Sequence, residues 1–149
     1  MIIFSYQKWI LKRVLMFFIY FFLRNRNSRD QQKSVFRKQI AIALEFNKPI
    51  MIHCRDASDD CLNILKELVP REYKIHRHCF TGDAEEVSRW LDAFPNMYFS
   101  FTNLIGFKNL HRTQGLRSAV SKIPLHRILI ETDAPYFRPQ NVSFLIIIL

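Results

Sequence analysis

No acidic side chain occurs among residues 1–29, although six basic ones do: Lys8, Lys12, Arg13, Arg24, Arg26 and Arg29. The rest of the chain carries sixteen basic and thirteen acidic groups, so most of the formal charge of +9 belongs to the N-terminal segment. That placement argues against a nucleic-acid footprint spread over the folded domain. A Cys-x-x-Cys pair is also missing. Cys54, Cys61 and Cys79 make an odd count, and two of them directly follow histidines. This speaks against a disulfide framework and for a reducing, intracellular compartment, nucleus or cytoplasm.

A bilayer-spanning run is absent as well. Val14 to Leu23 is apolar for ten residues, which rise about 15 Å as a helix, half of the hydrocarbon core. No small-residue cleavage site follows it; Arg24-Asn25-Arg26 does. Basic residues beside bulky aromatics leave a membrane-surface anchor over residues 1–28 open. Sequence foreign to the domain is the simpler reading. The expected organisation is a basic, apolar segment over 1–30, a folded domain over 31–140 and an apolar tail over 141–149.

From Gln31 the pattern becomes regular. Phe36, Ile40, Ala43 and Leu44 recur at helical spacing, which predicts a helix over 33–46. Asn47-Lys48-Pro49 breaks it, and Ile50 to His53 reads as a strand. Leu62, Ile64, Leu65 and Leu68 mark a second helix, stopped by Pro70, before a strand over 74–79. Asp83 is a candidate N-cap, with Glu86 three residues on as in a capping box. Val87, Trp90, Leu91 and Phe94 mark the buried face of a third helix, which Pro95-Asn96 ends. A strand over 97–102, a short helix over 117–122 and a strand over 127–131 complete the series. Strands alternating with helices imply βαβ units and a parallel sheet, an α/β fold.

Three of the strands deliver a metal-binding residue type to their C-terminal ends, where parallel α/β enzymes build their sites. These are His53, His78 and Asp133. The spacings of 25 and 55 positions fit the ends of strands one, two and four, given about 30 residues per βαβ unit. Thr102 would close strand three. Neutral imidazoles ligate divalent ions, and Asp133 adds an oxygen ligand able to hydrogen-bond a bound water. A cation there would polarise a phosphoryl oxygen and acidify that water, as phosphoester hydrolysis requires. Each residue alone reads as readily as an ordinary hydrogen-bonded strand-end group; their joint placement carries the argument.

Alternation along a strand sends Cys54 and Cys79 to the side opposite His53 and His78, toward the covering helices. His76 shares the side of His78 but lies deeper, in a structural role, and His111 and His126 read as solvated. Arg55 either clamps a phosphate or pairs with Asp56, Asp59 or Asp60. Thr81 supplies a hydroxyl near the site or simply a helix-start turn. Glu131 either orients a ligand from behind or forms a structural ion pair.

The segments 49–57 (PIMIHCRDA), 78–82 (HCFTG) and 131–136 (ETDAPY) together resemble the TatD family of metal-dependent deoxyribonucleases. Residues 123–129 (IPLHRIL) look like the lead-in to the last of them. The resemblance covers about 31–140. It implies a partial (β/α)8 TIM barrel of about four βα units and makes His53, His78 and Asp133 metal ligands. It also implies hydrolysis of phosphodiester bonds in DNA with divalent ions, magnesium, zinc or manganese, two in the intact family. The family's first-strand His-x-His pair and its Gly-Glu-x-Gly-Leu-Asp glutamate do not occur in this sequence. The expectation is therefore a chain truncated at both ends with impaired activity. The alternative is an inactive fragment serving as a binding module. A half-open sheet also exposes its edges, so an aggregation-prone chain is expected.

Overall fold

A computed structural model describes residues 26–107, 111–133 and 136–137. The apolar run Val14–Leu23 and the tail 141–149 lie outside the described residues, and with them the membrane-anchor expectation. Among the described residues no helix is long and apolar enough to cross a membrane.

Among the described residues, four helices and four strands alternate: α1 (Arg26–Glu45), β1 (Ile50–His53), α2 (Ser58–Leu68), β2 (Ile75–His78), α3 (Ala84–Ala93), β3 (Tyr98–Phe101), α4 (His111–Lys122) and β4 (Ile128–Ile130). Single 3-10 turns, Asn103–Gly106 and Leu125–Arg127, lead out of β3 and into β4. The sheet is wholly parallel in the order β1-β2-β3-β4. Each strand lies beside the next one in sequence, as in a singly wound barrel, and the expected partial (β/α)8 architecture is what forms.

The helices stop, and α3 starts, where their sequences say they should. Asn47 follows α1 with φ 49°, the left-handed conformation that asparagine tolerates best after glycine. Pro70 follows α2 and Pro95 follows α3. Asp83 caps α3, its carboxylate accepting from the Glu86 N–H at 2.9 Å. Two helices are longer than their apolar periodicity suggests. α1 begins at Arg26 rather than at 33, and α4 at His111 rather than at 117. Neither added stretch carries a sustained apolar stripe, so hydrophobic spacing could not reveal it.

Register aligns Met51 with His76 and His53 with His78, and His76 with Tyr98. One face of the sheet therefore carries Met51, His53, His76, His78 and Ser100. The other carries Ile52, Ile75, Arg77, Phe99 and Phe101. This second face meets the helices in a core built on Phe36, Ile40, Leu65, Trp90, Phe94 and Leu116, each less than 2% exposed. Ile130 lies on the same face of β4 but is 78% exposed.

Arg77 is the exception on the apolar face. Its side chain is 3% exposed and its Nη2 donates to Glu86 Oε1 at 3.0 Å. The guanidinium lies over Trp90 at 4.8 Å and beside Phe80 at 5.5 Å. Ser58 donates its hydroxyl to the same Glu86 oxygen and accepts from Trp90 Nε1 at 2.9 Å. Glu86 thereby ties α3 to β2 and to the start of α2. The close passage of Glu86 explains Gly82: a Cβ there would collide with Glu86 Oε2 and stand 2.7 Å from Phe80 Cζ. Gly82→Ala is expected to destabilise by about 1–3 kcal/mol, the usual result of overpacking, read as a lowered midpoint in urea.

Candidate metal centre at the strand ends

The turns that leave β1, β2 and β4 share an unusual backbone feature. Asp56, Cys79 and Asp133 all have positive φ, at 55°, 46° and 51°. Aspartate tolerates this conformation; a cysteine there costs about 1–2 kcal/mol. Such strain persists only where surrounding contacts hold it. At Cys79 they are visible, since its N–H is shared between Glu131 Oε1 and Ser100 Oγ, the latter at 3.2 Å.

This turn corrects the expectation that Cys79 faces the helices. Strand alternation ends at His78, and the left-handed residue turns Cys79 toward the site, where it lines the same cleft as Asp133. Burial, then the charges of Asp133 and Glu131, push the thiol up to about 12, so it remains protonated. Cys61 is wholly buried in the core, and Cys54 is half-buried; all three are free thiols.

His78 sits between two carboxylates. Its Nδ1 lies 2.6 Å from Glu131 Oε2 and its Nε2 lies 3.4 Å from Asp133 Oδ1. Burial alone would lower the imidazole, but the hydrogen bond to Glu131 and the charges of Glu131 and Asp133 outweigh it and leave His78 raised. Burial would raise Glu131, but hydrogen bonds from His78 and Ser100 outweigh it and hold the carboxyl low. The ring of His53 is centred 5.5 Å from that of His78. Burial first, then the neighbouring His78, keeps His53 below the ordinary imidazole value, so it is neutral near pH 7. His76, two residues deeper, is buried and lies 2.7 Å from Ser100 Oγ through Nε2. Burial pulls it down to about 4.

Around this group lies an open cleft, lined among others by His53, Arg55, Ser58, Thr81, Gly82 and Asp133. Arg55 is half-exposed and stands 3.9 Å from Asp56. Its other candidate partners are engaged elsewhere, Asp59 with Arg89 at 2.5 Å and Asp60 with Lys33 at 2.7 Å. Thr81 is exposed on the same rim. His126 is exposed, and the side chain of His111 lies outside the described residues.

The donor set suits a divalent ion. Two ligands at about 2.1 Å from one tetrahedral ion stand about 3.4 Å apart, which is the separation of His78 Nε2 from Asp133 Oδ1. Glu131 behind Nδ1 completes the carboxylate–imidazole arrangement typical of metal-bound histidine. His53 is near but the set is not closed: among the described residues no three His, Cys, Asp or Glu side chains stand together as a ready metal cage. Sequence reasoning missed Ser100, whose hydroxyl reaches the back of this cluster. Its inward register beside His78 was the available signal.

A family model described as TatD related DNase matches residues 20–144. The human 3'-5' RNA nuclease TATDN2 is 46% identical over 112 residues, which is 75% of this chain and 14% of that protein. The uncharacterized metal-dependent hydrolase YabD of Bacillus subtilis is 43% identical over 116 residues, 78% of this chain and 44% of the relative. The 3'-5' ssDNA/RNA exonuclease TatD of Klebsiella pneumoniae is 36% identical over 122 residues, covering 82% and 45%. This chain thus spans less than half the length of these curated relatives. Among solved structures, the TatD homologue YJJV from Escherichia coli K12 superposes with a TM-score of 0.72 at 20% identity. That match covers 96% of this chain and 53% of the other. A TatD family hydrolase from Entamoeba histolytica gives 0.60 at 28% identity, covering 72% and 34%.

Proposed function

The chain belongs to the family of TatD-related DNases, and on that premise we propose that it carries part of a divalent-metal site that hydrolyses phosphodiester bonds in single-stranded DNA. The observation that supports this most is His78, held at Nδ1 by Glu131 and facing Asp133 with Nε2. His78, Asp133 and His53 would hold the ion. Bound there, magnesium, zinc or manganese supplies Lewis acidity toward a phosphoryl oxygen and a more acidic water.

The remaining work falls to side chains. Glu131 fixes the His78 ring and keeps its Nε2 directed at the site. Asp133 would hold the ion through Oδ1 and accept the proton of the attacking water on its other carboxylate oxygen. Arg55, on the rim of the cleft, pairs with a backbone phosphate through its guanidinium, and Thr81 offers a hydroxyl to the same strand. Neutral His53 presents a lone pair rather than a competing charge.

Calorimetric titration of the protein with zinc or manganese tests the proposal, together with cleavage of a 3'-labelled single-stranded DNA. Saturable binding lost in His78→Ala supports it; no binding above buffer would remove it. Glu131→Gln is expected to weaken metal affinity by about tenfold to a hundredfold, because the amide no longer holds the ring as a charged acceptor does. The same titration measures it.

A second reading has its own observation. No closed cage of three ligands forms among the described residues, which favours a chain that binds nucleic acid or another partner without cleaving it. Retained DNA binding with no metal uptake would select that reading.

A further inference from the structure

Among the described residues with an exposed large apolar side chain, Tyr136 is the one that lines the cleft of the metal centre. It is 69% exposed. Its backbone is tied to the candidate ligand Asp133. The Tyr136 N–H donates to the Asp133 carbonyl at 2.9 Å, the bond that joins the first and fourth residues of a β-turn and keeps them within about 7 Å. Asp133 and Phe137, on either side, have φ of 51° and 53°. A bulky residue adopts that conformation only where its surroundings hold it. Phe137 is so held, because its side chain packs against the hydrophobic core. The chain therefore buries one aromatic as an anchor and presents the aromatic before it to the cleft.

We propose that Tyr136 is a stacking platform for an unpaired base that flanks the phosphodiester bond offered to the metal centre. The proposal rests on the nucleic-acid substrate named above and adds how a single strand is chosen. Phosphate contacts position a backbone without regard to its bases, so Arg55 cannot tell a single strand from a duplex. A ring can. Every base has a π face, so stacking tolerates any sequence, but inside a duplex both faces are already covered by neighbouring base pairs. The walls of the cleft accept a phosphate backbone. Of their acids, Asp59, Asp60 and Glu86 are each matched by a cation, Arg89, Lys33 and Arg77, while Arg29 and Arg55 line the cleft as well.

The test is fluorescence anisotropy on the whole chain, with a chelator present so that no strand is cut. Two labelled probes of equal length are compared, an oligothymidylate and a strand of tetrahydrofuran sites that has the phosphates and no bases. Tyr136→Ala is expected to weaken binding of the oligothymidylate by about fivefold to a hundredfold and to leave the base-free strand unchanged. Tyr136→Phe and Tyr136→Trp, which keep a π face, should bind both probes as the wild type does. Tyr136→Leu, apolar but without a π face, should behave as alanine does, and it carries the test if the alanine variant does not fold. Unchanged affinity for the oligothymidylate in Tyr136→Leu or Tyr136→Ala overturns the proposal. So does an equal loss on both probes, or a wild type that binds neither. A wild type that takes up no metal but shows the base-dependent loss sinks the hydrolase reading and leaves the platform standing. Metal-dependent cleavage with no base-dependent loss does the reverse.

Discussion

Replacing His78 with alanine is expected to lower metal-dependent cleavage of single-stranded DNA by this protein at least a hundredfold to about a thousandfold. The basis is placement. His78 contacts both Glu131 and Asp133, so its loss removes a ligand and unties the carboxylate behind it. Charge stabilisation by a bound ion amounts to several kcal/mol in the transition state, and each 1.36 kcal/mol is about a factor of ten in rate. Single-turnover cleavage at saturating metal measures the effect. Undiminished cleavage in His78→Ala would take this residue out of the site, and with it the main support for the hydrolase reading.

The largest effect on stability is expected from Glu86→Ala, at about 3–5 kcal/mol. Arg77 is 3% exposed between β2 and α3, and Glu86 is its carboxylate partner. Truncation leaves a guanidinium buried without an opposite charge, which is costlier than never having buried the pair. Ser58 loses its acceptor too, and Ser58 is the acceptor for Trp90 Nε1. Arg77→Met with Glu86→Leu should be far milder than Glu86→Ala alone, because both charges leave together. Denaturant unfolding of the two proteins decides the matter. Equal losses would show that packing of α3, and not the stranded charge, dominates.

Much of the fold was readable because its signals are local. Ile50-Met51-Ile52 ahead of His53 and the prolines after α2 and α3 punctuate the chain with residues that have one backbone preference. The capping of α3 by Asp83 follows from a side chain reaching three residues forward. The strand-end location of His53, His78 and Asp133 followed from period and spacing. What stayed hidden depends on distant pairs or on one dihedral. The reversal of Cys79 comes from φ 46°, which nothing in the segment 76–81 announces and which glycine would have flagged. The Arg77–Glu86 pair looks in sequence like two exposed charges, since hydrophobic pattern cannot register a buried salt bridge. Ser100 reads as an ordinary strand serine until β2 and β4 close around it.

The neighbour-to-neighbour strand order has a consequence for how this chain acquires its shape. Every pairing joins segments about one βα unit apart, so the loops to be closed are short and the entropy lost in each closure is small. A nascent polypeptide can add β2 to β1, then β3, then β4, in the order in which they leave the ribosome, without waiting for a distant partner. The carboxylates of Glu131 and Asp133, which follow β4 directly, would then be the step that converts an already layered scaffold into a charged centre.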